Sequence, residues 1–104
     1  MTLRAWLRER SLAPPDRLLA RIDARLGDRA ESDVSEIPSA CIAAAEELLA
    51  ELLSGDPTGR ESALDLLTVD ALVTYAFEAA SAAPENVPAL ATDSMARLAA
   101  VTQS

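Results

Sequence analysis

The candidates for proton or nucleophile chemistry are Cys41, Tyr75 and, among seventeen carboxylates, two groups: Glu46, Glu47 and Glu51, then Asp65, Asp70 and Glu78. Histidine is absent. That removes the commonest general base, the usual activator of a serine or cysteine nucleophile, and the commonest metal ligand. A single cysteine without histidine excludes zinc sites built from those two residues. Carboxylates alone can bind Mg²⁺ or Ca²⁺, but neither a calcium-loop spacing nor a dense Asp motif occurs. Glu47 and Glu51 lie one turn apart and, with Glu46, read as a solvated helix face. Cys41 stands near the start of a helix, where a thiol pKa can fall. A free cysteine is more commonly a small buried apolar group, and that is the expectation here. The chain is therefore expected to be no enzyme, with no catalytic residues, cofactor or metal.

The unusual placement is Asp70, inside the most apolar stretch, "LLTVDALVTYAFEAA", residues 66 to 80. A buried carboxylate without a partner is costly and tends to take up a proton. On a helical wheel of 100° per residue, Leu66, Val69, Val73, Phe77 and Ala80 form one face, expected to be the core face. Leu64, Leu67, Ala71 and Tyr75 form a second strip, with Glu78 inside it. Asp70 and Thr74 lie along one border, and Asp65 and Leu72 along the other. A helix apolar on two sides is either central or shared with another chain. Leu64, Leu67, Asp70, Ala71, Tyr75 and Phe77 are the candidate interaction or pocket residues.

These residues need helices to hold them, and the pattern supplies about five. Gly is scarce, and the six prolines fall at or near segment starts. Thr2 can cap a first helix over 3 to 11. A second follows "LAPPD" and ends at Leu26, before Gly27. "DRAESDVSE", 28 to 36, reads as the longest loop. A third helix starts between 35 and 39 and ends near Ser54, with Ile42, Ala45, Leu49 and Leu52 as its core stripe. Thr58 and Glu61 have capping-box spacing, opening a fourth helix that runs to about 82, roughly 34 Å long. A fifth covers about 86 to 101, with Val87, Leu90, Ala91, Met95 and Leu98 inward. The expected fold is all-α, one domain over 1–104, a compact bundle with a long central fourth helix.

Charge is distributed unevenly along this framework. The net charge is −8, and every one of the nine basic residues is Arg. Residues 1 to 29 hold seven Arg against four acids, and the rest two against thirteen. Arg17, Arg21 and Arg25 repeat every four residues, so the second helix is expected to lie against acids of the third or fourth, with Arg21–Asp70 one such pair. The acidity argues against nucleic acid and against anionic membrane surfaces. No long uncharged apolar window exists, so no membrane span is expected. A lone cysteine fits a reducing cytoplasm, and exclusive use of Arg fits a GC-rich bacterial genome.

Two short stretches resemble known families. "TDSMARL" around Ser94 is similar to the Asp-Ser-Leu/Met site that carries phosphopantetheine in acyl carrier proteins; there the serine opens a long helix with others behind it, whereas ten residues follow Ser94. "DALVTYAFE", Asp70 to Glu78, resembles a helix of polyprenyl synthases, but the two Asp-rich motifs that hold Mg²⁺ and diphosphate in that family are missing. Neither resemblance assigns a family. The expected function is a noncatalytic interaction or regulatory module that forms a homodimer. The alternative is a small-molecule binding protein with its ligand between helices near Asp70, Tyr75 and Phe77.

Overall fold

The computed structural model describes residues 1–10, 14–55 and 59–103. Among them are five α-helices: α1 (Leu3–Arg8), α2 (Asp16–Leu26), α3 (Ile37–Ser54), α4 (Arg60–Ala80) and α5 (Val87–Gln103). No strand occurs among the described residues, and no described helix is long and apolar enough to cross a membrane. The capping box expected from Thr58 and Glu61 involves a residue outside the described set.

Local chemistry accounts for most helix ends. The Thr2 hydroxyl accepts from the Ala5 N–H at 3.2 Å, which satisfies an otherwise orphaned donor of α1. α2 opens with Asp16 and closes with Arg25, charges that suit its dipole. It ends at Gly27, whose φ of 55° is a conformation other residues reach only with strain. Pro38 occupies the first turn of α3, where its missing N–H costs nothing.

The stretch expected as a long loop is instead ordered into 3₁₀ turns over Gly27–Glu31 and Val34–Glu36. The N-terminus supplies the reason. Leu3 N–H donates to the Ser32 carbonyl at 2.8 Å, and Val34 N–H to the Met1 carbonyl at 3.2 Å. Ala30, within this stretch, is fully buried. Those partners lie about thirty residues away in sequence, so no local period could announce them.

The core gathers Leu3 and Leu7 of α1, Ile22 and Leu26 of α2, and Leu72 and Ala76 of α4 around α3. α1 thus folds back on its own chain. α3 buries residues on several sides (Ile37, Ala40, Cys41, Ile42, Ala44, Ala45 and Leu48), because it packs against α2, α4 and α5 together. Of its expected stripe, Ile42 and Ala45 are fully buried, whereas Leu49 and Leu52 are half-buried. α4 is the longest helix, and its most extensive packing is against α3.

α5 corrects another expectation. Met95 is 72% exposed, and Ser94 is buried in its place. The inward row runs Val87, Ala91, Ser94, Leu98 and Val101, a regular helical spacing in which serine occupies an apolar slot.

Candidate functional site

The inward side of α4 is set by Thr68, Leu72, Tyr75 and Ala76, with Val69 and Ala80 beside them. This is rotated from the wheel reading. Leu66, expected in the core, is 58% exposed, and Leu72, expected at a border, is fully buried. Nearly every position of this helix is apolar, so the period by itself did not choose the buried arc. Thr68 enters the core because its hydroxyl donates to the Leu64 carbonyl at 2.8 Å, within its own helix.

The candidate residues divide between two sides. Tyr75 is buried and meets Trp6 edge to face, ring centroids 6.0 Å apart, with the Arg10 guanidinium 4.3 Å over the indole. Burial pushes the Tyr75 phenol pKa up; the nearby Glu78 carboxylate adds to this and Arg10 opposes it. Leu64 and Ala71 are half-buried. Leu67 and Asp70 face outward with Ala63, Leu66 and Val73, and the half-buried Phe77 continues that line two turns beyond Asp70. Asp70, Tyr75 and Phe77 therefore do not line a common pocket: the depression beside Asp70 is made by α4 residues alone.

Asp70 turns out to be an exposed carboxylate in the middle of an apolar strip. Its backbone carbonyl accepts from the Thr74 hydroxyl at 2.8 Å, and its carboxylate has no partner among the described residues. The expected Arg21 contact goes to Asp65 instead, at 2.9 Å. The wider expectation, that α2 lies against acids of the third and fourth helices, is met by that pair and by Arg25–Glu51 at 2.6 Å. Arg29 reaches Glu47 at 2.7 Å, and Arg97 donates through Nε and Nη2 to one oxygen of Glu46. The three α3 glutamates read as a solvated face are thus each engaged by an arginine. Arg4 bridges Asp23 and Glu31, and Arg10 pairs with Glu78.

The remaining chemical candidates are enclosed. Cys41 is buried, and burial pushes its pKa up to about 12, the reverse of what a reactive thiol needs. Ser94 is 3% exposed, and its hydroxyl has no hydrogen-bond partner among the described residues. It is inaccessible as an attachment point, which removes the likeness to a carrier-protein serine at that position.

One feature had no signal in the sequence. A groove of about 580 Å³ opens where Trp6 and Val34 meet Pro38, the end of α4 and Leu90. Alanines 79, 80, 82 and 83 leave that space, and residues from the N-terminus to α5 build it, so no local pattern marks it.

With this geometry in place, comparison with protein-family models, with curated proteins and with solved structures yields no match to this chain.

Proposed function

We propose that this protein is a noncatalytic interaction module that self-associates through the outer face of α4. The observation carrying the reading is the pair Leu66 and Leu67, 58% and 56% exposed on a helix whose opposite side is already committed to the core. Adjacent large apolar side chains flanked by Ala63 and Val73 make a contiguous patch of the kind found at protein interfaces. The ion pairs formed by Glu46, Glu47, Glu51, Asp65 and Glu78 occupy most of the acids first considered for chemistry, and Cys41 is sealed, which favours binding over catalysis. A cytoplasmic setting without nucleic-acid or membrane partners belongs to the same proposal.

Sedimentation equilibrium tests it. The expected outcome is a reversible dimer that Leu67→Ser abolishes while helical content and melting temperature hold. A wild-type monomer at every concentration up to the hundred-micromolar range, roughly where interfaces weaker than about 5 kcal/mol lie, would end the reading.

The second reading, small-molecule binding, draws support from the groove beside Trp6 and not from Asp70. Its size lies within the range of ligand sites, and its lining is mostly apolar. Trp6 is the sole tryptophan, so its fluorescence would report occupancy directly.

A further inference from the structure

The groove beside Trp6 is neutral in a chain of which 25% of the residues are charged. No charged side chain lines it among the described residues, and its polar side chains, Ser35 and Asn86, carry no charge. It shares no lining residue with the outer strip of α4, so it is a surface separate from the proposed site of self-association. Its walls are also preformed. The alanines that end α4 have no rotamers to order, Pro38 has a fixed φ, and Trp6 is held edge to face by Tyr75 at 6.0 Å. A molecule entering such a groove immobilises few side chains, and that lowers the cost of binding.

The charges of the surrounding elements are committed to one another. Arg10 stacks on the Trp6 indole at 4.3 Å and pairs with Glu78. Arg97 of α5 is held by Glu46 of α3. The Asp33 carboxylate accepts from the Ser35 N–H at 3.0 Å and from its hydroxyl at 2.9 Å. Those bonds hold its pKa below the usual carboxylate value, and the Met1 α-ammonium adds to the effect. A cation drawn to the indole is therefore opposed by Arg10, already stacked on that ring. An anion approaches a chain of net charge −8 and finds no cationic side chain in the groove. Either ion would give up hydration without gaining a partner, whereas a neutral apolar molecule gains by covering Trp6, Val34 and Leu90.

We propose that this groove takes one neutral, largely apolar small molecule and discriminates against ionised ones, with Trp6 as its fixed wall. The proposal rests on the second reading, small-molecule binding, and names the ligand class of that site.

The sole tryptophan gives one indole N–H resonance in a proton–nitrogen correlation spectrum, a reporter in the wall of the groove. The full chain is titrated at pH 7 with 1-naphthalenemethanol and with two ions of the same ring system, 1-naphthoate and 1-naphthylmethylammonium. The neutral compound is expected to shift the Trp6 resonance and to bind at least about tenfold more tightly than either ion. Ala83→Leu fills the groove and should remove that binding while helicity by circular dichroism holds. Ala82→Leu, at an exposed position of the lining, is the second filling variant. Leu67→Ser, on the outer face of α4, should bind as wild type. Ions that bind as tightly as the neutral compound overturn the ligand class and leave the groove as a ligand site. Binding that survives both filling variants, or that Leu67→Ser removes, lies elsewhere and overturns the assignment to the groove. A dimer lost in sedimentation with the filling variants but kept with Leu67→Ser would make a second copy the occupant, against the proposal. No response to any of the three compounds up to their solubility overturns this inference and the small-molecule reading together.

Discussion

Cys41 and Ser94 carry the residue-scale lessons, because both are reactive side chain types placed where they cannot react. Native Cys41 is expected to resist a thiol-specific disulfide reagent at pH 8 and to react at once after denaturation, followed by absorbance. The raised thiol pKa also has a stability consequence. The unfolded thiol ionises near about 8.5 and the folded one near about 12. Between those values the unfolded chain binds fewer protons, so stability is expected to fall as pH rises across that window. Urea unfolding at pH 8 and pH 10.5 checks this, and Cys41→Ala should remove part of the slope. Ser94 buries a hydroxyl without a partner, a loss of roughly 1–3 kcal/mol relative to a well-placed apolar group. Ser94→Ala is therefore expected to raise the melting temperature, and a lower one would show that the hydroxyl has a partner.

For the elements, α4 and the segment after α2 are the instructive cases. α4 was legible as a long helix with two apolar sides, but its rotation was not. Leu66 and Leu72 are the same residue type, and the neighbours of α3 and α2 decide which is enclosed. The difference is measurable: Leu72→Ala should cost about 2–5 kcal/mol, whereas Leu67→Ser should change monomer stability by less than about 0.5 kcal/mol. The Arg21–Asp65 contact ties α2 to α4 with both side chains largely enclosed. A double-mutant cycle using Arg21→Gln and Asp65→Asn is expected to show coupling of about 0.5–1 kcal/mol, while Arg21→Gln and Asp70→Asn should be additive. Gly27, at positive φ, needs its missing side chain for conformation and not for space, since an added Cβ would meet no atom within 4 Å. Gly27→Ala should cost about 1 kcal/mol through backbone strain.

Across the whole molecule, the arginines of the first three elements act as ties between the N-terminal part and the acidic remainder. Arg10, Arg21, Arg25 and Arg29 each reach a carboxylate of α3 or α4. Surface pairs of this kind contribute little singly, so their main consequence is to orient α1 and α2 on the rest. They leave a net charge of −8 on each copy, which opposes self-association over distances of about 8–10 Å in ordinary salt. Raising the salt concentration is therefore expected to tighten the proposed dimer, in contrast to an association held together by ion pairs.

The sequence by itself determined the helical class, the approximate five segments and the pairing of early arginines with later acids. Those properties follow from local periodicity, breakers and composition, which each residue carries wherever the chain goes. Tertiary structure alone decided which side of α4 faces inward, that Asp65 rather than Asp70 meets Arg21, that Ser94 replaces Met95 in the core, and that residues 28 to 36 are ordered. Each of those outcomes depends on a partner distant in the chain, and in a helix apolar on nearly every side the one-dimensional pattern gives the same score to each choice.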